Sequence, residues 1–110
     1  MGGFVRGDVV VVPFPYSDLT LSKRRPAVVI RQLPGDDVIL CQITSKAIQD
    51  AFAVPVEDSD FDYGKLAHDS NIRPNRLFTA DSNIILYRVG ALTSTKIDEI
   101  IEAVVAVVRG

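Results

Sequence analysis

As far as residue 92 the sequence is made of short β-branched runs broken by proline and glycine; beyond it the apolar spacing turns helical. GDVVVVPF opens with Gly7, closes with Pro13 and Pro15, and predicts a buried strand. PAVVIRQ (26–32) and VILCQIT (38–44) flank the turn LPGDD (33–37) and predict an antiparallel hairpin. AFAVPVE predicts a short strand at a sheet edge, because Pro55 cannot donate to a ladder. Residues 57–70 read as a polar loop, and NRLFTAD and NIILYRVGAL as further strands. In TSTKIDEIIEAVVAVVRG, Ile97, Ile100, Ile101, Val104, Val105 and Val108 fall on helical spacing. Thr95 with Asp98 forms a candidate N-cap pair and Gly110 a C-terminal cap. The expectation is a single domain over residues 1–110: five or so strands in a small β-barrel, with a C-terminal helix packed on it. That helix is apolar around most of its girth. It either presses into its own barrel or buries part of itself against a second copy.

Composition narrows the class. Apolar residues make up 47% and charged residues 24% of the chain, which argues for a packed core and against disorder. One cysteine, Cys41, excludes an internal disulfide, reads as a small core residue and points to a cytoplasmic protein. No apolar run is long enough to span a membrane, and MGGFVRGD lacks the plan of a signal peptide. The net charge of −2 disfavours a general nucleic-acid coat. The charges are segregated, however. Cations crowd around residues 23–31, whereas EDSDFD (57–62) carries four acids, expected to face away from any polyanion site.

The cation cluster SKRRP is the candidate site. If the hairpin turn centres on Gly35, Arg25 lies opposite Ser45; a slip of one residue sets it opposite Thr44. Either register puts a guanidinium beside a hydroxyl at the hairpin's open end, with Lys46 near. Pro26 holds the backbone of Arg25 extended. A fixed fork of donors, a hydroxyl and surplus positive charge together suit a phosphate.

Other motifs carry less. One histidine and one cysteine cannot build a zinc site, so no metal and no cofactor is expected. A subunit with His68 alone cannot host a two-histidine acid–base pair, and His68 reads as a surface residue of a polar loop. RGD at 6–8 leads straight into a strand and reads as chance.

RGDVVVVPFPYSDLTLSKRRPAVVI strongly resembles the opening of the PemK/MazF family, the toxins of type II toxin–antitoxin modules. The likeness continues through CQITSK, VPVE, DSNIRPNRLFTAD and VGALTSTKIDEI, in order and over nearly the whole chain. The resemblance implies a small SH3-like, CcdB/MazF-like β-barrel, usually a homodimer, that cuts single-stranded RNA without a metal and is neutralised by a cognate antitoxin. It implies Arg25, just before Pro26, as the catalytic arginine, and Thr44, at the end of the third strand, as the catalytic threonine. The first loop is compact beside that of many members, and Asp18 is the acid it offers.

In a metal-free ribonuclease the substrate's 2′-OH attacks the adjacent phosphorus, leaving a 2′,3′-cyclic phosphate and a 5′-OH. Arg25 and Thr44 would stabilise charge on the phosphoryl oxygens. The base stays unassigned, with Asp18 a weak candidate. Lys23, Arg24, Ser45 and Lys46 would position the phosphates. Phe14 and Tyr16 are candidate stacking partners for splayed bases, although Phe14 serves equally as a plug for the barrel mouth. The rivals are non-enzymatic: a CcdB-type gyrase poison, or a catalytically silent protein-binding module.

Overall fold

The structure, a computed structural model, describes residues 3–14, 23–45 and 51–110. Seven strands form one antiparallel sheet: β1 (Asp8–Phe14), β2 (Lys23–Gln32), β3 (Asp37–Thr44), β4 (Val54–Val56), β5 (Phe61–Gly64), β6 (Ser70–Asp81) and β7 (Tyr87–Leu92). Their order is β4-β6-β3-β2-β1-β7-β5, a curled half-barrel with β4 and β5 at its edges. The helix α1 (Ser94–Arg109) follows.

Both faces of the central strands are covered. Val9, Val28, Ile30, Cys41 and Ile43 join Ile72 and Ile100 in one cluster; Val10, Val12, Ala27, Val29, Val38 and Leu40 form a second on the opposite side. Two buried faces explain why β1 reads as an unbroken VVVV instead of an alternating strand. Gly35 turns the β2–β3 hairpin with a φ of 79°, a conformation that favours glycine.

The hairpin is irregular. Gln32 pairs with Val38 and Arg31 with Ile39, but Val29 pairs with Leu40, so Ile30 is an extra residue in β2. The N-terminal segment stitches this bulge. The Gly7 N–H donates to the Val29 carbonyl at 2.8 Å, and Arg6 Nε donates to the Ile30 carbonyl at 2.8 Å. Carbonyls that a regular ladder would have used are thereby satisfied.

Three expectations need correction. Residues 57–70 are not all loop: a short 3-10 turn at Asp58–Asp60 leads into β5, which pairs with β7. That pairing depends on two glycines that let the backbones approach, since a Cβ on Gly64 would collide with the Val89 carbonyl. Strand β6 begins at Ser70, well before NRLFTAD, because Asn71 and Ile72 pair with both β3 and β4. The helix is capped by Thr93, whose Oγ1 accepts from the Lys96 N–H at 3.2 Å; Thr95 lies inside the first turn. Gly110 does cap its C-terminus, its N–H reaching the Ala106 carbonyl. Pro55 sits in an edge strand, as its missing N–H requires.

The start of α1 is tied to the acidic segment. The ammonium of Lys96, a residue only 8% exposed, lies 2.9 Å from Glu99 Oε1 and 3.6 Å from Asp60 Oδ2, and the Thr93 N–H donates to the Asp60 carbonyl. Ile100 is sealed against the sheet at 1% exposure, a burial worth ~2 kcal/mol. The helix covers its own sheet only in part: Val105 and Val108 stay exposed, Val108 by 73%.

Candidate nucleic-acid site

The register of the hairpin decides what meets at its open end. Ala27 pairs with Gln42, the last pair of this ladder; continued by two residues, the same register points Arg25 toward Thr44. Directly opposed residues project from the same side of a sheet. The row continues on both sides, with Val12 of β1 paired to Arg25 and Asn71 of β6 paired to Thr44. Thr44 therefore sits beside Asn71, and the extended register brings Arg25 toward the same row.

Pro26 follows Arg25 inside β2 and pairs with Val11 of β1. Thr44 is buried, 6% exposed. Arg24 is exposed and Arg25 half-buried. A guanidinium in that position keeps its stem against the protein and its fork toward water.

These residues border a cavity of about 300 Å³. Val11, Pro26, Ile43 and Val89 supply apolar walls. The polar side is Arg24, Arg25, Thr44, Ser45, Lys65 and His68. No aspartate or glutamate lines it among the described residues, and none of the four acids of EDSDFD reaches it. The field inside is positive, and low-dielectric walls strengthen it.

A larger cavity, about 600 Å³, lies at the other end of the hairpin and has the wrong chemistry for an anion. Asp36 and Asp37 border it. Its arginine, Arg88, is already engaged: it lies 3.1 Å from Asp8 Oδ2, donates to the Gly3 carbonyl at 2.7 Å and stacks over Phe4.

Of the residues expected from sequence, Arg24, Arg25, Thr44 and Ser45 come together. Phe14 and Lys23 are paired to each other at the ends of β1 and β2, and their side chains lie outside what is described. Tyr16, Asp18 and Lys46 fall outside the described residues. The sequence reading missed Lys65 and His68. His68 is exposed, as expected, yet the loop that carries it folds over the cavity. Its backbone is anchored there by Ser70, whose Oγ donates to the His68 carbonyl at 2.8 Å. Nothing local marks that residue as part of the site beyond its being the chain's one histidine.

Comparison with known proteins bears on the family and the fold. Residues 5–108 match the family model described as PemK-like, MazF-like toxin of type II toxin–antitoxin system. Among solved structures, an endoribonuclease from a mycobacterial species, in complex with its cognate antitoxin, superposes with a TM-score of 0.76. It is 14% identical and covers 96% of this chain and 95% of its own. MazF in a MazE–MazF complex from Deinococcus radiodurans gives a TM-score of 0.74 at 15% identity, covering 98% and 97%. The Mycobacterium tuberculosis toxin MazF-mt6 gives 0.69 at 19% identity, covering 88% and 91%. At such identities the likeness concerns the fold. No curated protein matches the chain.

Proposed function

Because the chain belongs to the PemK-like, MazF-like toxin family of type II toxin–antitoxin systems, we propose that it is a metal-independent endoribonuclease acting on single-stranded RNA. The observation that supports this reading is a cavity bordered by Arg24, Arg25, Thr44 and Ser45 that no carboxylate borders among the described residues.

In the proposed reaction the RNA 2′-oxygen attacks the neighbouring phosphorus and the 5′-oxygen leaves, giving a 2′,3′-cyclic phosphate. Negative charge grows on the phosphoryl oxygens. Arg25 meets it with a fork of donors, a contribution of ~10³–10⁵ in rate for an arginine on a phosphoryl transition state. Thr44 adds a hydroxyl donor, worth ~10²–10³. Arg25 also gives a proton to the leaving oxygen. It is a poor base, because a guanidinium stays protonated up to about pH 12. Arg24 and Ser45 hold flanking phosphates.

A cognate antitoxin and a homodimer complete the reading, in the cytoplasm. The exposed Val105 and Val108 on α1 support a second copy, since the helix leaves apolar surface that its own sheet does not cover.

The test is to incubate the purified protein with mixed-sequence single-stranded RNA in EDTA, beside Arg25→Ala. Cleavage leaving cyclic phosphates, lost in the variant, supports the nuclease. Intact RNA with gyrase-dependent DNA breaks would show a gyrase poison instead, and inertness in both assays a binding module.

A further inference from the structure

The two arginines near the start of β2 point to opposite sides of the sheet. Arg25 is paired to Val12 and Arg24 to Pro13, and successive residues of a strand alternate in direction. Val12 belongs to one buried cluster, whereas its neighbour Val11 walls the cavity on the other side. Arg24 therefore shares a side with Val11 and Pro26. Arg25 lies behind them with Val12, and Thr44 with Asn71. The reaction assigned to Arg25 and Thr44 leaves most of the cavity without a role.

We infer that the cavity is a subsite for one nucleotide of single-stranded RNA, with Tyr87 as the platform on which its base stacks; this rests on the nuclease reading above. Tyr87 is paired to Val11 across β7 and β1, so its ring projects on the cavity side, and it is 49% exposed. On its other edge Val11 is paired to Pro26, whose neighbour in the extended β2–β3 register is Ile43. Ile43, Pro26, Val11 and Tyr87 thus form one row across four adjacent strands. It is an apolar floor that ends in an aromatic ring. Around it stand Arg24, from β2, and Lys65 and His68, from the segment between β5 and β6. That segment is held in place. Leu66 packs against the core, and the Ser70 Oγ donates to the His68 carbonyl at 2.8 Å.

A nucleotide has the two parts that this arrangement matches. Its base offers a flat face, on which an exposed tyrosine stacks whatever the base is. Its phosphate is an anion, and Arg24 and Lys65 bring cationic donors to a cavity that no carboxylate borders among the described residues. The volume, about 300 Å³, is at the small end for a ligand pocket and suits one nucleotide better than a length of strand. Arg24 and Arg25 are consecutive, about 3.8 Å apart at Cα. The subsite and the Arg25–Thr44 row therefore adjoin through β2, and one strand of RNA serves both.

The experiment measures binding of a mixed-sequence RNA that lacks the attacking 2′-OH, and of its abasic sugar–phosphate counterpart. The proteins are wild type, Tyr87→Phe, Tyr87→Leu and Lys65→Gln, each checked for folding by a melting curve. Loss of one stacked base should weaken RNA binding by Tyr87→Leu ~5- to 150-fold. Tyr87→Phe keeps the ring and should bind as wild type does. The abasic strand should bind wild type and Tyr87→Leu alike. Lys65→Gln should lower the slope of log affinity against log salt by ~0.7. The inference falls if Tyr87→Leu binds RNA as wild type does, or if Tyr87→Phe is as weak as Tyr87→Leu. It falls equally if the abasic strand still tells the two apart, or if Lys65→Gln keeps the wild-type slope. An alternating Glu–Leu peptide whose binding depends on Tyr87, when that of RNA does not, would give the cavity to a protein partner and overturn it too. Cleavage by wild type that Arg25→Ala loses decides the nuclease reading separately. If wild type neither binds nor cleaves RNA, both fall together.

Discussion

Ala27 pairs with Gln42, and not with Ile43, because Ile30 is an extra residue in β2. On the turn side of the bulge Arg31 faces Ile39, a register that would carry Arg25 to Ser45 had it continued. Beyond the bulge Val29 faces Leu40, and every later pair is displaced by one. The register leading to the candidate site is thus set by a backbone irregularity five residues away from Arg25, which Arg6 and Gly7 hold in place.

Thr44 should therefore outweigh Ser45 in catalysis. Thr44→Ala is expected to slow cleavage by ~10²-fold, the usual effect of losing one donor to a developing oxyanion. Ser45→Ala should change the rate by less than about threefold. Single-turnover rates on the same RNA decide between them, and equal losses would argue against the displaced register.

The bulge stitch predicts a stability effect remote from the site. Arg6→Ala removes the donor to the Ile30 carbonyl. Arg6 is exposed and water can replace it in part, so the loss should be ~1 kcal/mol, toward the low end for a charged donor. A urea titration measures it. An unchanged midpoint would show that the carbonyl is satisfied equally well by solvent.

Gly64 has φ 79° and no room for a Cβ against the Val89 carbonyl; Gly90, opposite it, faces the Tyr63 carbonyl just as closely. Gly64→Ala should cost ~2 kcal/mol or more, since left-handed backbone and a backbone collision add. The readout is a lowered melting temperature. Gly35→Ala makes the contrast, because it has a similar φ but open space around it, and it should lose less.

Cys41 is sealed between β2 and β6, and burial pushes its thiol up from 9.0 to about 12 although its hydrogen bond to the Arg73 carbonyl pulls the other way. Below pH 9 both folded and unfolded chains carry the protonated thiol and the group is neutral to stability changes. Above it the unfolded chain ionises while the folded chain does not, so stability should fall with rising pH, by up to about 1.4 kcal/mol per pH unit, until about pH 12. Unfolding of wild type and Cys41→Ala between pH 8 and 10.5 isolates the term. At pH 8 the native thiol should resist a disulfide reagent that labels the denatured chain at once.

If the cavity holds RNA, phosphate contacts make binding salt-dependent. Arg24→Ala should lower the slope of log affinity against log salt by ~0.7, the release expected for one contact on a single strand. Binding would be read with a non-cleavable RNA that lacks the attacking 2′-OH.

Local chemistry alone determined much of this protein. β-branched runs mark β1, β2 and β3, Gly35 marks their turn, Pro55 marks an edge, and Arg25 with Pro26 marks a fixed guanidinium near a strand-end hydroxyl. Each follows from φ preference, periodicity or a missing N–H, which act within a few residues. The tertiary structure decided the rest. The register between β2 and β3 beyond Val29 depends on Ile30, and its bulge is stabilised by Arg6 and Gly7 from far along the chain. The glycine pair behind β5 explains a strand inside an apparently polar loop, and only the closing of β5 on β7 and of β4 on β6 carries Lys65 and His68 to the cavity. Pairings of that kind join segments remote in sequence, and no short-range pattern encodes their register.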